Sequence, residues 1–150
     1  MGQKEGHIRW LIRRDMHEIM EIERSCFGDQ AIAEREVIEM LRQRNNIGMV
    51  IEVNEAVVGY MMYLLHTHSI ELLRLAVHPQ HQRRGLGRQL VEKILSKLNL
   101  KRRRVTFLVP DHLLGTHLFL KASGFRATCH GDHYYFYQGV QWKEQSLQTT

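Results

Sequence analysis

The sequence predicts a mixed α/β domain, one sheet with helices packed on it. Two observations carry this. Runs rich in β-branched and aliphatic residues alternate with segments whose apolar residues recur near a 3.6-residue period. One strand-like run, "IELLRLAV" (70–77), feeds through a glycine-containing turn into the clearest helix of the chain. The elements read in the order β α α β β β α β α β β.

Each element has its own signal. "HIRWLIR" (7–13) is expected as the first strand. Asp15 can cap a helix in which Met16, Ile19, Met20 and Ile22 fall near the helical period. "EREVIEMLRQR" (34–44) gives a second, polar-faced helix. "IGMVIEV" (47–53) and "AVVGYMMYLL" (56–65) flank the short turn Asn54-Glu55, as in a hairpin. The strand at 70–77 is ended by Pro79. In the next helix Leu86, Leu90, Val91, Ile94, Leu95 and Leu98 share a face, while Arg88, Glu92, Lys93 and Lys97 lie off it. "RVTFLV" (104–109) is a strand stopped by Pro110. Residues 111–123 read as a helix with Asp111 as cap and Gly124 at its end. "FRATC" and "HYYFYQ", joined around Gly131-Asp132, make a final hairpin. No repeat or linker intervenes, so 1–150 is expected to be one domain with its core at about 8–138.

Composition narrows the function. The chain is 43% hydrophobic and 25% charged, as soluble globular domains are. No stretch approaches the ~20 apolar residues of a membrane span, so no membrane partner is expected. The polar start "MGQKEGHIRW" has no secretory pattern, and Gly6 stands where N-myristoylation needs Ser or Thr. Cys26 and Cys129 have neither disulfide nor metal spacing and read as reduced thiols of a cytoplasmic protein. The net charge of +5 permits acidic partners. Its densest run, Lys101 to Arg104, has no interleaved aromatics for base stacking, so nucleic acid is not an expected partner. His66 and His68 lack a third ligand at useful spacing, and no metal is expected.

The junction after residue 77 carries the most chemistry. A helix start leaves its first amide N–H groups unpaired and bears partial positive charge. Glycines before it let an anion approach the backbone. Strand, turn, Gly85, Gly87 and helix therefore describe a phosphate or pyrophosphate cradle, ringed by Arg83, Arg84 and Arg88. On spacing alone, the two glycines serve a plain tight turn equally well. There is no Gly-Lys-Ser/Thr for a P-loop, and no third glycine with a downstream acid for a dinucleotide fingerprint.

"LAVHPQHQRRGLGRQLVEKIL" resembles motif A of the GNAT superfamily of N-acetyltransferases, whose pattern is Gln/Arg-x-x-Gly-x-Gly/Ala. Gln82-Arg83-Arg84-Gly85-Leu86-Gly87 match it position by position. "HLFLKASGFRA" resembles its motif B, with Gly124-Phe125 as the usual Gly-Phe. Within the superfamily the chain is most similar to the RimI-type N-terminal acetyltransferases of ribosomal proteins. The resemblance implies a GNAT fold: a mixed sheet of about seven strands, splayed between strands 4 and 5, with about four flanking helices. It implies acetyl-CoA as donor and direct attack by a primary amine, on a protein N-terminus or a small molecule. A homodimer is allowed. The implied donor contacts are Gln82, Arg83, Arg84, Gly85, Leu86, Gly87 and Arg88 at the pyrophosphate and Leu75, Ala76 and Val77 along the pantetheine. Leu113, His117 and Leu120 would stand on the helical side. A backbone N–H near Val77 would act as oxyanion hole.

The pattern breaks at the acid and the base. RimI-type enzymes usually carry Leu-Glu-Val-Arg-x-x-Asn on and after the fifth strand, and this chain reads "FLVPDHL". Leu108 takes the place of the general-base Glu, Pro110 of the Arg, Leu113 of the cofactor-contacting Asn, and Leu120 of the motif B general-acid Tyr. The consequence depends on the acceptor. At pH 7, freeing a lysine amine of pKa ~10.4 costs roughly 4.6 kcal/mol, and an α-amine of ~7.7–8.0 roughly 1.2. A CoA thiol resembling cysteine can leave as thiolate for about 2 kcal/mol. A lost acid is thus tolerable, and a lost base weighs most on lysine-like amines. Glu71 is a candidate replacement base, since histone acetyltransferases of the superfamily look similar on that strand. It reads equally as a solvent-facing Glu paired with Arg74 or a neighbouring arginine. His112, at the start of the predicted helix, and Tyr134 are further catalytic candidates. Tyr134, Tyr135 and Tyr137 also suit an acceptor wall. The rival reading is an acetyl-CoA-binding regulatory module with weak or no activity, favoured by Leu108, Leu113 and Leu120.

Overall fold

The computed structural model describes residues 5–139. The strands are β1 (His7–Trp10), β2 (Asn46–Val53), β3 (Ala56–Leu65), β4 (Ser69–Val77), β5 (Arg104–Pro110), β6 (Arg126–His130) and β7 (His133–Gly139). They form one sheet in the order β1-β2-β3-β4-β5-β7-β6. Neighbours run antiparallel except β4 and β5, which are parallel. Four α-helices accompany it: α1 (Met16–Phe27), α2 (Glu34–Arg42), α3 (Leu86–Leu95) and α4 (Leu114–Ala122). The expected mixed seven-stranded sheet with four helices is therefore what forms. None of the helices is long and apolar enough to cross a membrane.

Strand alternation feeds two cores. On one face Met16, Ile19, Ile22 and Val37 of α1 and α2 pack on Val50, Tyr60, Met62 and Ala76. On the other, Leu86, Leu90, Ile94 and Leu120 of α3 and α4 pack on Ile51, Met61, Leu72, Phe107 and Phe136. Each fully buried aliphatic side chain contributes about 1.5–3 kcal/mol. Over β5–β7 the α1/α2 face is open among the described residues, and Leu108 on it is 51% exposed.

Two boundaries differ from expectation by three residues, each for a polar reason. β1 stops at Trp10, not at residue 13. The Asp15 carboxylate accepts from Ile12 N (2.8 Å) and from Arg9 Nη1 and Nη2 (2.8 and 2.9 Å), folding Arg13–Asp15 into a 3₁₀ turn. Asp15 thus looks back along the chain and makes no side-chain cap on α1. Helix α4 starts at Leu114, not at residue 111. Pro110 is still in the strand, opposite His133, and Asp111 N bonds Asp132 O (2.9 Å) across the hairpin end, so Asp111 caps nothing.

The sheet parts between β4 and β5. They pair from Ser69↔Arg104 to Leu72↔Phe107 and no further. β4 then bulges: Tyr63 faces Leu72 but Met62 faces Arg74, leaving Leu73 as the extra residue. Past this point β4 stays with β3 as far as Gly59↔Val77, while β5 stays with β7 as far as Pro110↔His133. Gly59 permits the close seat of β4, since a Cβ there would lie 2.9 Å from Ala76 O and 3.2 Å from Val77 Cγ2.

The Asp15 anchor gives a pH test. Hydrogen bonding to Arg9 holds its carboxyl below the usual value, against the opposing effect of burial. Stability from a depressed carboxyl is present above the unfolded pKa of ~3.9 and is lost as pH falls through the folded one. Asp15→Asn should cost about 2 kcal/mol at pH 7. In urea titrations the gap to wild type should close on acidification below about pH 4. A gap that does not change with pH would contradict the assignment.

Candidate active site

The parted strands leave backbone groups facing each other without a ladder. His78 N donates to Val58 O (2.8 Å), which fixes Val58/His78, Tyr60/Ala76 and Met62/Arg74 as the hydrogen-bonded pairs. The N–H groups of Leu75 and Val77 therefore point away from β3, into the gap. The Val77 carbonyl points the same way, accepting from Gln82 Nε2 (2.9 Å) and from the Cys26 thiol at the end of α1 (3.1 Å). Burial pushes the Cys26 thiol up to about 11, so it donates as a neutral S–H.

The loop from β4 to α3 is shaped to leave amides open. His78 Nδ1 accepts from Gln80 N (3.2 Å) around Pro79, forming a 3₁₀ turn. Arg83 (φ 67°) and Gly85 (φ 78°) are both left-handed, a geometry that curls successive amides into an anion-binding nest. Gln89 N takes up Gly85 O (3.0 Å), and Gly85 offers no side-chain cap. The N–H groups of Leu86, Gly87 and Arg88 have no place in the helical ladder and face the loop. The two glycines have different duties. A Cβ on Gly85 would meet nothing within 4 Å, whereas one on Gly87 would press the Phe119 ring of α4 at 3.2 Å. Arg83, Arg84 and Arg88 are exposed around this mouth, with Arg84 Nη1 3.4 Å from Glu5 Oε1. Open space, uncapped amides and cations together fit a pyrophosphate.

The helical side of the gap is more closed than expected. Leu120 is fully buried in the core and offers no surface to the gap. His117 is 9% exposed, sits edge-on to Tyr134 and Phe136 (4.9 and 5.1 Å between centroids), and donates from Nε2 to Pro110 O (2.9 Å). It braces α4 against the end of β5. Leu113 is half-buried against the core and stands just before α4.

The three catalytic candidates do not converge. Glu71 faces the α1/α2 side, because the bulge at Leu73 breaks its alternation with Val77. Its Oε1 lies 2.8 Å from His66 Nε2, and it does not pair with Arg74. His112 is exposed in the turn before α4, not within the helix. Tyr134 turns toward His117 and the core, opposite Val109. Tyr135 and Tyr137 take the open face instead, beside Leu108 and Thr106, with Arg104 4.9 Å over the Tyr137 ring. Among the described residues, no three His, Cys, Asp or Glu side chains are grouped as a metal would need. Sequence reasoning passed over Glu23 of α1, which is fully buried and bound to Arg74. The available signal was an acid four residues after Ile19 on an apolar helical stripe, with an arginine inside "IELLRLAV".

A mixed seven-stranded sheet with a parallel β4–β5 pair and four helices has counterparts among known proteins. The family described as "Acetyltransferase (GNAT) family" matches residues 16–125, and the chain belongs to it. Ard1 from Thermoplasma volcanium superposes with a TM-score of 0.79 at 21% identity, covering 91% of this chain and 98% of that one. The ribosomal-protein-S18-alanine N-acetyltransferase from Escherichia coli gives 0.73 at 18% identity, covering 88% and 90%. The PaiA N-acetyltransferase from Thermoplasma acidophilum, in complex with coenzyme A, gives 0.69 at 17%, covering 90% and 99%. At these identities the likeness speaks for the fold. No curated protein matches by sequence.

Gly85 is the steric probe of the helix mouth: a side chain there strikes nothing in the protein, and its cost is confined to the strain of a left-handed φ of 78°. In an amide NMR titration, inorganic pyrophosphate should shift Leu86, Gly87 and Arg88 in wild type. Gly85→Glu places a like charge at the mouth and should abolish those shifts, at a cost of about 1–2 kcal/mol in backbone strain that leaves the protein folded. Equal shifts in both proteins would remove the loop from the site.

Proposed function

We propose that the protein transfers an acetyl group from acetyl-CoA to a primary amine, on a protein N-terminus or a small molecule. The observation that carries this is the pair of Leu75 and Val77 N–H groups facing the β4–β5 gap, next to the uncapped mouth of α3. Acetyl-CoA, when bound, supplies an activated thioester. The amides of Leu86, Gly87 and Arg88, with Arg83 and Arg88 around them, would hold its pyrophosphate. The walls formed by Leu75, Ala76 and Val77 would take the pantetheine. Lying about 6.6 Å apart along the strand, the two N–H groups serve different oxygens: one is preorganised for the thioester carbonyl on which charge develops, a contribution of about 10²–10³-fold in comparable sites, and the other for a carbonyl of the pantetheine. The acceptor would approach from the open α1/α2 side, along Leu108, Tyr135 and Tyr137. Two free thiols, Cys26 and Cys129, suit a cytoplasmic setting.

Positioning and the oxyanion site then carry the rate, with acid–base help reduced. Leu108 stands on the acceptor side where the resemblance expects a base, and it is exposed enough to accept one. This favours acceptors that deprotonate readily, α-amines before lysine side chains. It also keeps the binding-module reading in play, because a site without base or acid can bind donor and turn over slowly.

Release of CoA thiol across a panel of amines decides between them. Wild type should acetylate an N-terminal peptide amine at pH 7 well ahead of a lysine side chain. Leu108→Glu should raise the lysine rate about 10²-fold and the α-amine rate less than about tenfold. The gain should fade at high pH, where the amine loses its proton unaided. Acetyl-CoA binding with no release for any amine, in wild type and Leu108→Glu alike, would favour the module.

A further inference from the structure

Glu23 and Arg74 lie outside the donor and acceptor contacts described above, yet they touch the strand that forms the gap. Both Glu23 oxygens are saturated. Oε1 accepts from Arg74 Nη2 (2.6 Å) and Ile32 N (3.1 Å), and Oε2 accepts from Arg74 Nε (2.9 Å) and the Tyr60 hydroxyl. A carboxylate has about four acceptor positions, so Glu23 has none left for an amine proton and is not the missing base. The Arg74 guanidinium also lies 4.0 Å over the Phe27 ring. Burial is the largest single effect and opposes its charge, but the hydrogen bonds and charge of Glu23, together with Tyr60, outweigh it and raise Arg74 above the ordinary arginine value.

The pair decides a register. Ile70 and Leu72 enter the core beneath α3 and α4. Strict alternation would send Arg74 and Ala76 after them and turn the N–H groups of Leu75 and Val77 back to β3. The extra residue at Leu73 reverses both outcomes. Arg74 reaches Glu23 on the α1 side, Val77 joins the opposite core, and the two N–H groups face the gap. Without the bulge, a guanidinium would be buried among apolar side chains with no partner, at a penalty of several kcal/mol. Buried ion pairs add little net stability over an apolar pair of the same volume, and fixing register is their best-attested use.

We propose that the Glu23–Arg74 pair is the register lock of β4, a pair of positioning residues that holds the Leu73 bulge and so turns the Leu75 and Val77 N–H groups into the gap. Through Ile32 it also holds the α1–α2 connection. This rests on the acetyl-transfer reading only for its kinetic consequence.

The test is the double variant Glu23→Met/Arg74→Met, which removes both charges and orphans neither, while the buried Tyr60 hydroxyl and Ile32 N lose their acceptor. It should fold with a melting point a few degrees below wild type. Its kcat should fall about 10²-fold, as misplaced reacting groups cost. The KM for acetyl-CoA should rise by a smaller factor than kcat falls, because the α3 mouth is untouched and only the Leu75–Val77 wall shifts. Arg74→Lys keeps the charge but loses the two-pronged contact, and should show an intermediate kcat. Wild-type kcat in the double variant, or a loss no larger than its loss of folded protein, overturns the proposal. Should the double variant fail to fold, Arg74→Lys decides, and wild-type kcat there overturns it. Should wild type acetylate no amine, the functional reading fails by itself. The lock is then judged by amide exchange at Leu75 and Val77, and unaltered rates in the double variant overturn it.

Discussion

Two parallel strands that pair over four residues and then separate create the demand that shapes this molecule. Backbone N–H groups away from water need partners, and those of Leu75 and Val77 are denied theirs by the departure of β5. The surrounding structure serves to keep that edge exposed and straight. Gly59 lets β3 hold β4 closely from behind. Gln82 and Cys26 fasten the Val77 carbonyl from the loop and from α1. β7 carries β5 away as far as Pro110, and His117 ties that end to α4. The mouth of α3 then opens beside the same edge, so the proposed anion and carbonyl sites of a donor are set by one strand and its following loop.

The chemistry is lopsided. The groups that would grip an acyl donor are mainly backbone amides, which survive any substitution but proline. The groups that would move protons are side chains, and Leu108 and Leu120 stand where the resemblance expects them. Leu108 is exposed on the acceptor side, whereas Leu120 is sealed in the core, so the two losses differ in kind. An acid at position 120 would need the core rebuilt, while a base at 108 would need only one exchanged side chain.

Much of the fold was legible because its signals are local. The α3 stripe from Leu86 to Leu98, the Asn54-Glu55 turn, and the Gln82-to-Gly87 run each identify themselves within a short window. Boundaries set by long side-chain reach were not legible. Nothing near Asp15 says that Arg9 and Ile12 will claim its carboxylate. The start of α4 depends on Asp111 N finding Asp132 O across a hairpin end. At the site, the glycines were found but not their separate duties, since Phe119 meets Gly87 only once α4 has packed. The Leu73 bulge hides in "ELLRLAV", where adjacent leucines suit either face, and with it hides the true facing of Glu71. Glu23 and Arg74 are 51 residues apart in sequence and meet only through the packing of α1 on the sheet.

The central claim is that the free edge of β4 receives the acyl carbonyl. Amide hydrogen exchange with and without acetyl-CoA reads it directly, residue by residue. Slowed exchange at Leu75 and Val77 together with Leu86, Gly87 and Arg88, and no comparable change along β1 or β2, is the predicted outcome. Binding of acetyl-CoA that protects the α3 mouth or any other surface while Leu75 and Val77 exchange as before would contradict it.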